Sequence, residues 1–214
     1  MAACSDATPG APVELDALPG VWRASKGLEN SGCENISTGF KELDEVLPGG
    51  GWPLGSLTEI LSRRTGAGEL TLLMPALARL SDQERWATWI APPHIPYAPA
   101  LAAAGLRLSR MLVARPRRLQ DILWSAEQAL RSGGRPTVLA WIDSCDERSL
   151  RRLQLAAAES GGWAVLFRPM RQATRFSPAA LRIVLDNTPT GEPIVSLLKC
   201  RGGRPVEGLR LQAP

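Results

Sequence analysis

"LSRRTGAGELTLL", residues 61–73, is the stretch on which the fold turns. Leu57 to Leu61 reads as a short apolar strand. It runs into a glycine-containing turn and then an apolar helix from residue 69. A strand, a glycine turn and a helix in that order is where a phosphate loop sits, because backbone amides at a helix N-terminus attract anions. The lysine that such a loop needs is missing, and Glu69 stands nearby.

Working outward, the chain alternates. Strands are expected at 56–61, 85–91, 110–115, 136–143, 163–167, 181–186 and 194–199. Helices are expected at 69–80, 97–105, 119–131 and 147–160. Leu119, Ile122, Leu123, Ala126 and Leu130 share one face of the third, and Leu150, Leu153 and Ala157 turn inward from the fourth. "PTVLAWID" (136–143) is continuously apolar, as a central parallel strand must be. Strand–helix alternation followed by strands alone predicts an α/β fold. Its sheet is mostly parallel and twisted, flanked by helices on both faces, with antiparallel strands at the C-terminal edge.

The 214 residues are 44% hydrophobic and 21% charged, enough for one domain with a sizeable core. The net charge of +4, carried mostly by arginine, permits contact with nucleic acid or an acidic partner without requiring it. Cys4, Cys33, Cys145 and Cys200 form no C-x-x-C pair, and His94 is the single histidine, so no zinc spacing exists. Reduced thiols in a cytoplasmic protein are expected. No signal peptide or membrane-spanning run is seen. Residues 1–35 read as an arm and polar linker, partly flexible, with Val13, Leu15, Leu18 and Trp22 as anchors. Residues 36–214 read as the body. Trp22 and Trp52 stand in glycine- and proline-rich surroundings and are expected at an interface.

Two segments carry a resemblance. "ISTGFKELDEVLPGGGWPLGSLTEI" (36–60) resembles the lead-in to the phosphate loop of RecA-type recombinases, through Ser37-Thr38-Gly39, Leu43-Asp44, Gly49-Gly50-Gly51, Pro53, Gly55 and Glu59-Ile60. "LAWIDS" (139–144) resembles the Walker B strand, which places its aspartate at Asp143. "WIAPPHIPYAPALAAAGL" (89–106) and "KCRGGRP" (199–205) look like the next strand-loop and a basic hairpin of the same superfamily. Within it, the chain is most similar to the ImuA family of translesion-synthesis-associated proteins, whose members also carry the labels RecA-like and SulA-like. The resemblance implies a RecA-like core over residues 36–214.

Set against G-x-x-x-x-G-K-[ST], and allowing one inserted residue, Ser62 replaces the first glycine. Gly68 is the second glycine, Glu69 replaces the lysine and Leu70 the hydroxyl residue that holds magnesium; without the insertion, Gly68 and Glu69 fall at the Lys and Ser/Thr positions, and neither alignment restores the lysine. A lysine about 4 Å from a phosphate oxygen contributes roughly 4 kcal/mol at an effective dielectric of 20, and a carboxylate reverses that sign. Pro75 is expected to kink the helix or delay its start. Pro93 falls where the resemblance places a catalytic glutamate. The degenerate nucleotide site therefore comprises Ser62, Arg63, Arg64, Thr65, Gly66, Gly68, Glu69, Leu70 and Asp143. Arg63 and Arg64 leave open an anion held by another route. No catalytic residue, metal or cofactor is expected, and ATP binding is not.

DNA or a partner protein has two candidate surfaces. Arg168, Arg171, Arg175 and Phe176 follow a core strand where the resemblance places a DNA-binding loop. Lys199, Arg201 and Arg204 form a basic hairpin expected at the same end of the sheet. Both are equally readable as solvated surface, as are Arg115, Arg117 and Arg118 and the helical face of Arg148, Arg151 and Arg152. The resemblance implies a non-catalytic accessory of SOS-induced translesion synthesis, the source of induced mutations. It would bring an ImuB-type Y-family-like protein, and through it an error-prone DNA polymerase, to RecA filaments or single-stranded DNA. Such a protein would be cytoplasmic, and nucleoid-associated when engaged. A SulA-type cell-division inhibitor, a weak DNA-dependent ATPase and a stand-alone DNA-binding protein stay open.

Overall fold

The computed structural model describes residues 34–188 and 192–212. The arm and linker expected at 1–35, with Val13, Leu15, Leu18 and Trp22, lies outside the described residues except for 34 and 35.

The chain opens with β1 (Asn35–Ile36), α1 (Lys41–Val46) and β2 (Trp52–Pro53), β1 and β2 pairing antiparallel. The main series follows: β3 (Ser56–Ser62), α2 (Glu69–Asp82), β4 (Ala87–Ile90), α3 (Ala98–Ala103), β5 (Met111–Ala114), α4 (Leu119–Arg131), β6 (Thr137–Trp141), α5 (Glu147–Ser160), β7 (Trp163–Pro169) and β8 (Leu181–Asn187). It closes with β9 (Pro193–Cys200) and β10 (Val206–Arg210). Eight strands form one sheet in the order β10-β9-β8-β3-β7-β6-β4-β5. β8, β3, β7, β6, β4 and β5 are mutually parallel, and β9 and β10 add antiparallel at the C-terminal edge. This is the expected mostly parallel α/β sheet.

β3 is buried at all seven positions because it has a neighbour on each side and helices above and below. Its alternate side chains separate two apolar clusters. Ile60 joins Leu43, Leu73, Leu77 and Leu101 from α1, α2 and α3, while Leu57 joins Ala126, Leu130, Leu150 and Leu153 from α4 and α5. α5 begins where the Asp146 carboxylate accepts from the Ser149 amide (3.0 Å) and ends at left-handed Gly161. In α4 the inward face is narrower than its pattern suggested, since Leu119 stays exposed.

The lead-in that carried the resemblance is a packed structural element. The Asp44 carboxylate accepts from Ser37 Oγ (2.6 Å) and the Thr38 amide (2.8 Å), closing the turn into α1. A Cβ on Gly39 would stand 2.4 Å from Pro75 Cβ, so this glycine lets α2 lie against the turn. α2 starts at Glu69 and runs unbroken through Pro75, so the expected late start does not occur. Trp52 corrects a second expectation. It is fully buried and packs on Trp163, ring centroids 5.5 Å apart, and its glycine-rich surroundings belong to tight turns around a core residue rather than to an exposed interface.

Candidate functional site

The site lies at the carboxyl ends of β3, β6 and β7. β3 hands over to the loop 63–68, in which Gly66 (φ 83°) and Gly68 (φ 94°) take left-handed conformations open to glycine. Gly68 is the N-cap of α2, so Glu69 occupies the first helical position. The residue is 7% exposed, and its Oε1 accepts from Ser62 Oγ at 2.8 Å. Leu70 packs against the α2-side core, which accounts for an apolar residue in place of a hydroxyl. The loop is tied to β8 on its outer side, where Asn187 donates to the Ala67 carbonyl (3.0 Å) and Arg63 faces Asp186 (3.4 Å).

Two adjoining hollows of about 250 and 340 Å³ flank the loop and share Thr65, Glu69, Pro93 and Trp141. The inner one is also lined by Ser62, Arg63, Asp143 and Arg168. The outer one is walled by Trp89, Trp141 and the segment 92–97, with His94 on its lining. Trp141 stacks on Phe167 at 4.4 Å and meets Trp89 at 5.8 Å, which makes an aromatic wall beside Glu69. Asp143, at the end of β6, is paired with Arg171. Among the described residues no cluster of metal-ligating side chains occurs.

The predicted basic surfaces divide differently from expectation. Arg168 does not reach outward: it is 3% exposed, and its guanidinium donates to Glu59 (2.6 Å) and Gln172 (3.4 Å). In β7 it shares the inward register of Ala164 and Leu166, so it belongs to the core and leaves the candidate DNA-binding set. Arg182, which the sequence reading passed over, completes the network. Its Nε donates to Glu59 (2.6 Å), and its other nitrogens donate to the carbonyls of Gln172, Ala173 and Arg175. The segment 170–180 is pinned across the sheet by these bonds.

The hairpin is the other correction. Cys200 pairs with Leu181, the first residue of β8, so Arg201 and Arg204 lie at the amino ends of the parallel strands, away from the loop at their carboxyl ends. β9 runs antiparallel, which reverses the end its hairpin reaches. Phe176 and Ser177, carried across by segment 170–180, approach Lys199 at its base. Lys199 Nζ donates to the Ser177 carbonyl (2.8 Å) and lies 5.8 Å from the Phe176 ring. Burial first, then Arg201 and Arg182, lowers the Lys199 pKa below the ordinary lysine value. Arg175, Phe176, Arg201 and Arg204 are exposed, as is Arg171. On α5, Arg151 pairs with Glu147 and Arg152 with Glu127, so that face is largely neutralised. Burial raises the thiol pKa of Cys145 and of Cys200, and both are free thiols.

A mostly parallel sheet flanked by helices, with antiparallel strands at its C-terminal edge, defines an α/β protein, here with a buried carboxylate at the start of the helix that follows β3. Comparison with known proteins narrows that class. Residues 55–164 match the family model described as cell division inhibitor SulA. Protein ImuA of Caulobacter vibrioides is 30% identical over 195 residues, covering 79% of this chain and 80% of that protein. The cell division inhibitor SulA of Edwardsiella piscicida is 34% identical over 101 residues, covering 47% of this chain and 60% of that protein. The chain belongs to the ImuA/SulA-like family.

Proposed function

We propose that this chain is a non-catalytic accessory protein of SOS-induced translesion synthesis, acting in the response to DNA damage. It recruits an ImuB-type partner, and through it an error-prone polymerase, to RecA filaments or single-stranded DNA. The observation that carries the non-catalytic part is Glu69. A buried carboxylate stands at the first turn of α2, where triphosphate binding needs a cation. The relatives support the pathway. The likeness to ImuA spans 79% of the chain, whereas the SulA model covers residues 55–164. The work is then done by association, with no bond made or broken.

DNA is contacted by Arg171, Arg175, Phe176, Arg201 and Arg204, which are exposed. Deletion of the gene is expected to abolish damage-induced mutation without altering cell length, and the purified chain is expected to capture an ImuB-type protein at ordinary salt. Cell filamentation on overexpression, with induced mutation intact on deletion, would establish the SulA-type inhibitor instead. Phosphate release that depends on DNA and survives purification would establish the ATPase.

A further inference from the structure

Glu69 is a buried acidic residue at the start of α2. Among the described residues it forms no ion pair, and Ser62 Oγ is its one hydrogen-bonding side chain. The neighbouring cations are committed elsewhere: Arg63 to Asp186, Arg168 to Glu59, and Arg171 to Asp143. The outer hollow of about 340 Å³ holds no Lys or Arg among its lining residues, and Glu69 is its only carboxylate. The N-terminus of α2 offsets part of that charge, which lets the empty protein tolerate it. An incoming cation meets that partial positive charge together with the full negative charge of the carboxylate, so the attraction it feels is the difference between the two.

A second observation points to the kind of ligand. The rim is apolar and open: Ile95 is 77% and Tyr97 71% exposed, beside Pro93 and Pro96. A ligand that fits supplies a cation for Glu69 and apolar groups for the rim. A polypeptide segment with one Lys or Arg between apolar residues supplies both. Nucleic acid presents phosphates to a carboxylate and is repelled. A metal ion would find one carboxylate where it needs several oxygen ligands.

We propose that the hollow beside Glu69 is a docking pocket for a Lys or Arg anchor on an apolar segment of a partner protein. The position that takes an anion in a working phosphate loop here takes a cation. The inference rests on the docking role proposed above and names the chemistry of one contact within it.

The test uses the full chain and four pools of nine-residue synthetic peptides, with Lys, Arg, Gln or Glu fixed at the centre and mixed apolar flanks. The Lys and Arg pools are expected to bind at least tenfold more tightly than the Gln and Glu pools. Glu69→Gln is expected to erase that preference. Ile95→Ser, at an exposed position, is expected to weaken every pool with no change in melting temperature. Equal binding of all pools, no binding from any pool, or a preference that survives Glu69→Gln would overturn the proposal. Should Glu69→Gln fail to fold, the pool preference and the Ile95→Ser loss decide. Failure of the pools alongside intact capture of an ImuB-type protein removes the pocket alone, whereas ATP turnover would remove the docking role itself.

Discussion

Two acidic residues buried around β3 make an instructive pair. Glu59 points to the α5 side and is fully buried between the guanidiniums of Arg168 and Arg182. Glu69 sits on the α2 side with one hydroxyl for company. The first is a closed network, and Arg182 extends it into the carbonyls that pin segment 170–180. The second is an open valence beside a hollow. A buried charge that is fully answered by its own chain is structural, and one that is not answered is a place where something else can bind.

The largest effect should come from opening the closed member. Glu59→Ala leaves two guanidiniums buried without an anion and should cost about 3–5 kcal/mol in urea unfolding. Replacing Glu59, Arg168 and Arg182 together by Leu and Met should recover most of that loss. If Glu59→Ala costs under about 1 kcal/mol, the contrast disappears.

Converting the open member is next. Glu69→Lys with Leu70→Thr restores the residue types of a phosphate loop and should raise affinity for a fluorescent ATP analogue by roughly tenfold or more, by the reversed Coulomb sign. Unchanged affinity would show that the aromatic wall, rather than the carboxylate, closes the site. Glu69→Gln keeps an acceptor for Ser62 and removes only the charge, so stability should shift by no more than about 1 kcal/mol. A change the size of the Glu59 effect would mean that Glu69 is structural too.

Smaller effects sharpen the outer boundary. Arg171→Ala breaks an exposed pair with Asp143 and should leave stability nearly unchanged, about 0–1 kcal/mol. Its effect belongs in the salt dependence of single-stranded DNA binding, where one lost phosphate contact lowers the slope by about 1. At pH 8, Cys145 and Cys200 should be alkylated more slowly in the folded chain than in urea, because burial raises both thiol pKa values and thins the thiolate. Mass spectrometry reads each thiol separately, and equal rates in both states would contradict the burial.

The parallel sheet was legible because its strands are apolar runs with helical periods between them. The bounds of α4 fall where the period placed them. β1, β2 and β10 were not anticipated: the first two are two residues each, and β10 carries Glu207 and Gly208 at a break in its register. Trp52 was misplaced because tight turns and loose linkers share glycine and proline. Arg168 was misplaced although a signal existed. Alternation puts Glu59 in register with Leu57 and Leu61, and Arg168 with Ala164 and Leu166, so opposite charges face inward from adjacent strands. What sequence could not supply is which arginines spend their charge on neighbours far away in the chain, since that depends on how the sheet brings β3, β7 and β8 together.

Trp141 forms part of the wall common to both hollows, half-buried between Trp89 and Phe167. The protein therefore carries its own optical gauge of occupancy. Any guest that displaces water from that indole should move its share of the emission towards the blue, so a titration needs no attached dye, and the part of the shift that Trp141→Phe removes reports from beside Glu69.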